Sequence, residues 1–302
     1  MDEAVRRTPA GCIDSPCPNP SVPQPPGCPR ATDGKEIDAV QFPYLEGEIK
    51  EHFDRWLEQN IERYQQTLTF TEIRKGVQAI AELYSHQPPP VDLASRIVDG
   101  QGKRAALATY YAALHFLTAY HAREMAGVGE DAPVRRIVDL GSGTGATGAA
   151  VAAGLAVPPR LLAIDRSGWA LDETRGTWHA FGLSGQVQRV ELPGHLPRCS
   201  PGDLLCLGWI VSALEPASRR TLLRKLTAMV KRGLGLLLLE PAAVSAERWW
   251  AVLREQLAPY GVREELVRVS IRRPRFIQDM DKAARQDHQV IGARVLASGD
   301  MI

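Results

Sequence analysis

The chain has 302 residues, of which 44% are hydrophobic and 24% charged, with a formal net charge of +1. That length suits one large domain with an appendage, and a near-neutral balance excludes a global field drawing the chain to nucleic acid or membrane. No apolar run approaches the roughly 20 residues of a membrane span, so membrane insertion is not expected.

The first residues, Met1 to Arg7, are charged and no apolar stretch follows them, so no secretory leader is expected. The cysteines are Cys12, Cys17, Cys28, Cys199 and Cys206. An odd number argues against a disulfide framework and for a reducing, cytoplasmic setting. Residues 1–43 are rich in proline. Runs such as Pro18-Asn19-Pro20 and Pro25-Pro26-Gly27 forbid helix and central strand. The expectation there is an extended or disordered arm. Cys12, Cys17 and Cys28 offer three thiols, but their spacing is looser than a zinc knuckle needs and no fourth ligand is evident. No metal site is expected.

Residues 44–130 read as a helical cap. Leu45, Ile49, Phe53, Leu57, Ile61, Tyr64 and Leu68 recur every three or four positions, which predicts a helix over 45–68. Thr69 and Glu72 form a capping-box pattern opening a second helix through Ile73, Val77, Ile80 and Leu83. Gln87-Pro88-Pro89-Pro90 ends it. A third helix is predicted over 105–124. These helices precede the α/β part and can cover a sheet face, form a lid over its edge, or both.

Residues 131–302 alternate strand and helix. Strands are predicted at 136–140, 161–165, 186–192, 202–207 and 234–240, with helices at 145 onward, 168–181, 216–229 and 246–260. Two last strands, 263–271 and 290–297, are joined by a loop over 272–286. The pattern predicts an α/β fold, a doubly wound and mostly parallel seven-stranded sheet of Rossmann-like type. The basic run Ile271 to Phe276 could touch phosphate or an anionic small molecule, or form a solvated turn.

One stretch organises the chain: Val138-Asp139-Leu140-Gly141-Ser142-Gly143-Thr144-Gly145, a buried strand, a glycine turn and a helix start. Glycines let the backbone turn sharply and approach a ligand, with helix N–H groups left free. Gly143, Gly145 and Gly148 also spell the dinucleotide pattern G-x-G-x-x-G. Asp139 argues for another ligand. A carboxylate would repel a pyrophosphate and attract an ammonium group. The run D-L-G-S-G-T-G resembles the first motif of the class I S-adenosylmethionine (SAM)-dependent methyltransferases. That resemblance implies a methyl transfer from SAM, with Asp139, Gly141, Ser142, Gly143 and Gly145 at the cofactor.

Ligands bind such sheets at the strand carboxyl ends. Asp165 ends the second strand, and its two oxygens can accept both ribose hydroxyls; helix capping is its alternative role, with Ser167 competing. Arg166 follows, along the adenine. Glu191 and Leu192 end the third predicted strand, where the family meets the adenine edge. Trp209, after the fourth, can pack on the sulfonium or the substrate or fill core. Glu240 ends the fifth. Substrate contacts are expected from Tyr110, Tyr111, Trp209 and Glu240. The methyl of SAM is already electrophilic, so a general base is optional; candidates are Tyr111, His115 and Glu240, with Tyr110 and His121 behind them.

The stretch Asp203 to Glu215, with Glu240-Pro241, Arg254, Leu257 and Gly261, is also similar to a methyltransferase-like family tied to assembly of the small ribosomal subunit. That family carries a cysteine-rich metal site where this chain reads Ala258-Pro259-Tyr260-Gly261-Val262. The expected acceptor is a small molecule or peptide, methylated on O or N. The alternatives are a ribosomal RNA methyltransferase and a non-catalytic assembly factor that binds SAM. RNA is a possible partner but not the favoured one.

Overall fold

The computed structural model describes residues 42–86, 90, 92–242, 244 and 247–298. The readings made for residues 1–41, including the three-cysteine alternative, lie outside them.

In chain order the elements are β1 (Phe42–Pro43), α1 (Gly47–Gln65), α2 (Phe70–Ser85), α3 (Leu93–Arg96), α4 (Gln101–Ala106), a π-turn (Leu107–Tyr111) and α5 (Ala112–Met125). Then come β2 (Arg136–Leu140), α6 (Ala146–Ala153), β3 (Arg160–Asp165), α7 (Gly168–Ala180), β4 (Gly185–Arg189) and β5 (Asp203–Gly208). The chain closes with α8 (Pro216–Val230), β6 (Gly235–Glu240), α9 (Arg248–Leu257), β7 (Val262–Arg272), α10 (Arg275–Ala284) and β8 (Val290–Ser298).

The strands form one sheet in the order β1-β7-β8-β6-β5-β2-β3-β4. Those from β6 to β4 are parallel, while β8 runs antiparallel to both β6 and β7. Counting from the glycine strand, the order is third-second-first-fourth-fifth-seventh-sixth. That is the class I methyltransferase arrangement, with β1 as an added two-residue edge paired to Ile271 and Arg272.

Alternation along each central strand divides the core in two. On β6, Leu237 and Leu239 enter one cluster and Leu236 and Leu238 the other. On β5, Leu204 and Cys206 face one way and Leu205 and Leu207 the other. Helices cover both faces, so the strands are apolar throughout. The first cluster is roofed by α1, α5, α6 and α10 through Phe53, Phe116, Ala149 and Ile277. The second is closed by α8 and α9 through Leu222, Leu226, Trp250 and Leu253. The helices before the sheet therefore cover a face, and the segment around α3 also reaches the cavity described below.

Two expectations are corrected. The third predicted strand stops at Arg189, so Glu191 and Leu192 lie beyond it. Past Asp165 the partner strand has ended; Val190 N–H makes the last bond, to the Asp165 carbonyl at 3.0 Å. The loop expected over 272–286 contains α10, whose Phe276, Ile277, Met280 and Ala284 pack onto the cap. Among the described residues no helix is long and apolar enough to cross a membrane.

Candidate functional site

The glycine turn follows directly from β2. Gly141, Gly143 and Gly145 all adopt positive φ, at 73°, 54° and 74°. A β-carbon on Gly141 would lie 2.5 Å from Ile210 Cγ1, whereas one on Gly143 would meet nothing within 4 Å. The first glycine is thus required by close packing as well as by φ. The second leaves open space where the backbone borders a cavity.

That cavity, about 380 Å³, lies at the carboxyl ends of the parallel strands. It falls within the usual range for small-molecule sites. Gly141, Ser142 and Gly143 form one wall with Asp165 and Arg166, and Leu192 and Glu191 border it beyond β4. Asp165 is tied into the turn: its Oδ2 accepts from Gly143 N–H at 3.0 Å and its Oδ1 from Ser167 N–H at 2.8 Å. Each oxygen keeps a lone pair for a hydroxyl donor. Burial lifts its carboxyl above the usual range, opposed by those two N–H bonds and by the Arg166 charge. Ser167, not Asp165, caps α7 by accepting from Ala170 N–H at 3.3 Å.

Arg166 donates to Glu191 Oε1 at 3.2 Å and to Ser95 Oγ at 2.5 Å, joining the sheet edge to α3. The opposite wall is apolar and aromatic, with Tyr84, Ile97, Val98, Leu107 and Leu214. Trp209, after β5, lies at φ 56°. For a bulky residue that is a strained conformation of the kind concentrated at functional sites. It lays the indole parallel to the His115 ring, with centroids 4.0 Å apart and planes 7° apart. Burial, with a smaller contribution from His288, depresses His115 to about 3, so its imidazole is neutral at physiological pH.

Six residues named from the sequence do not line this cavity. Asp139 is 1% exposed behind the turn. Its Oδ2 accepts from Gly148 N–H at 3.2 Å, its Oδ1 has no partner among the described residues, and burial raises it to about 7. Gly145 starts α6 and backs onto Thr174. Glu240 is fully buried, with Oε1 accepting from Val211 N–H at 2.8 Å and Ser212 N–H at 3.2 Å; burial raises it to about 7. Tyr110 turns toward α10, where its hydroxyl meets Asp281 and His288. Tyr111 donates to the Val77 carbonyl of α2 at 3.2 Å. His121 Nε2–H donates to the Tyr44 carbonyl at 3.0 Å, on the cap side.

The π-turn explains this sorting. Its extra residue, marked by Ala112 N–H reaching the Leu107 carbonyl, re-phases the long helix. Leu107 and His115 face the cavity while the tyrosines between them turn away. Sequence reasoning missed Ile97 and Val98 because the segment after the proline run has no periodicity to place it, and Tyr84 and Leu107 because a helical period does not say which of its residues reach the cavity. Among the described residues no cluster of three or more His, Cys, Asp or Glu could hold a metal.

No family model matches the chain, and no curated protein sequence does. Solved structures similar to it include magnesium protoporphyrin IX methyltransferase from Synechocystis with bound SAM, at 12% identity and TM-score 0.41, covering 67% of this chain and 85% of that one. Precorrin-6y C5,15-methyltransferase from Geobacter metallireducens is similar at 14% identity and TM-score 0.40, covering 68% and 91%. A SAM-dependent methyltransferase from Aquifex aeolicus is similar at 15% identity and TM-score 0.38, covering 61% and 91%. The fold assignment rests on the chain's own strand order.

Proposed function

We propose that the protein is a SAM-dependent methyltransferase acting on O or N of a small-molecule or peptide acceptor. The observation that carries this reading is the Gly141–Gly143 turn hydrogen-bonded to Asp165 in the wall of one cavity at the strand carboxyl ends. Open α/β sheets bind ligands there. The residues fit the cofactor: a glycine with open space above it, a carboxylate with free lone pairs, and no phosphate-seeking cation in the turn.

Backbone at Gly141, Ser142 and Gly143 would hold the amino-acid end, Asp165 the ribose hydroxyls, and Arg166, Glu191 and Leu192 the adenine end. SAM would supply an electrophilic methyl group. Trp209 and His115 would orient the acceptor, and the apolar wall would exclude water. Neutral His115 is too weak a base to hold a proton near pH 7 but can accept a hydrogen bond from an acceptor O–H or N–H. Alignment then provides most of the acceleration. The one cation of the described wall, Arg166, is committed to Glu191 and Ser95, which favours an acceptor without phosphate at the reacting end.

Calorimetric titration with SAM tests this. Wild-type protein should bind, and Asp165→Ala should bind at least about tenfold more weakly, a difference of about 1.4 kcal/mol, while its circular dichroism stays native. Equal affinity would overturn the assignment.

A further inference from the structure

The far end of the same sheet carries a second kind of surface. Arg136 and Arg160 open β2 and β3, whose other ends lead to the cavity. At roughly 3.3 Å per strand residue, the two places are on the order of 15–20 Å apart. A groove of about 670 Å³ lies there, walled by Arg136, Arg160, Arg198 and His195, with Gln186 and Gln188 of the edge strand β4. No carboxylate lines it. His195 and Pro197 also border a shallower groove, about 400 Å³, that continues to Lys225 and Arg232 of the α8 end.

The C-terminal end of helix α8 extends the same charge through Lys225 and Arg232. From Pro216 to Leu239 the sequence holds Arg219, Arg220, Arg224, Lys225, Lys231 and Arg232 and no acid. Arg220, Arg224, Lys231 and Arg232 are exposed, as are Arg160, Arg198 and His195. Among the described residues none of these cations has a salt bridge; the nearby Asp203 is buried and bridges Arg135 and Arg136. A chain of net charge +1 therefore sets Arg160, Arg198, His195 and Arg232 around two adjoining grooves with no salt bridge among the described residues. Like charges repel, so their collection without counter-ions costs stability unless a ligand supplies the anions.

We propose that this face binds a nucleic-acid strand through its phosphates, separately from the methyl-transfer cavity. Guanidinium groups dominate, and their planar fork suits phosphate oxygens. The two glutamine amides beside them offer both a donor and an acceptor to base edges. A lipid surface fits less well. The apolar residues of α8, Leu222, Leu226, Met229 and Val230, are buried in the core, so the helix keeps no apolar face to insert. The inference does not rest on SAM binding.

The test is fluorescence anisotropy with the full chain and labelled single strands of roughly 20 nucleotides, longer than the roughly 4–16 that one single-strand site spans. RNA and DNA of one sequence form separate arms, so a preference for RNA reports the 2′-hydroxyl and equal binding reports phosphate alone. Affinity should fall with salt at a log–log slope of about −3, as roughly four or five phosphate contacts give. Arg160→Glu with Arg232→Glu should weaken binding at least about tenfold and flatten the slope by about 1.4. Arg55→Glu, an equal charge change per site on exposed α1, should leave both nearly unchanged. SAM titration of the same variants should match wild type, which separates this surface from the cavity and verifies folding. Absence of binding at about 50 mM salt, equal loss in Arg55→Glu, or equal affinity for phosphatidylserine vesicles or polyglutamate would each overturn the proposal.

Discussion

At Gly141 two constraints coincide, the φ of 73° and the 2.5 Å approach of Ile210 to the missing β-carbon. Gly141→Ala should therefore destabilise the ligand-free protein by about 1–3 kcal/mol, read as a lower melting temperature. Asp139 makes a different prediction. Its folded value near 7 stands above the ordinary 3.8 because burial penalises the charge. Between those values the folded state holds a proton that the unfolded chain has lost, so this group's contribution to stability declines as pH rises from about 4 to 7. Asp139→Asn keeps an oxygen for Gly148 N–H and has no charge to bury. Its melting temperature, measured relative to wild type, should therefore climb between about pH 5 and pH 8. A constant difference would mean that Asp139 stays charged. The aspartate was legible from its place before the glycines. Its position behind the turn was not, because that depends on how closely α6 approaches β2.

Among the elements, α2 is specified locally and α10 is not. Thr69 Oγ1 accepts from Glu72 N–H at 3.3 Å, and Glu72 returns a bond to Thr69 N–H at 2.7 Å. Two residues three apart announce that start, and Thr69→Ala should cost about 1 kcal/mol. Helix α10 is held instead by contacts far along the chain. Asp281, 3% exposed, receives Tyr110, His288 and Arg273. Burial pushes its carboxyl up, but the bonds from His288 and Tyr110 and the charges of His288 and Arg273 outweigh that and hold it below the usual range. Asp281→Ala would strand a largely buried arginine and a tyrosine hydroxyl. It should cost about 3–5 kcal/mol, several times the Thr69→Ala penalty in the same denaturant titration. A smaller loss for Asp281→Ala than for Thr69→Ala would show that α10 is held by its apolar face alone.

Across the whole molecule, one sheet separates two chemistries. The carboxyl ends of its parallel strands border the cavity with the glycine turn and Asp165, and the opposite ends border a groove whose charged side chains are Arg136, Arg160 and Arg198, with His195 and no carboxylate. Composition concealed the second, since acidic residues elsewhere cancel the charge: α1 alone carries Glu48, Glu51, Glu58 and Glu62. Parallel, doubly wound order was written in the alternation of apolar strands and amphipathic helices, because strand burial on both faces demands continuous apolar runs. The glycine turn and Asp165 were equally plain, since φ and strand-end position are local properties. What only the folded chain decided was which side chains share the cavity. One extra residue in the long helix turns Tyr110 and Tyr111 away from the cavity and His115 toward it, and β4 ends early because its neighbour has already ended. Both follow from packing between segments far apart in sequence, which no local period records.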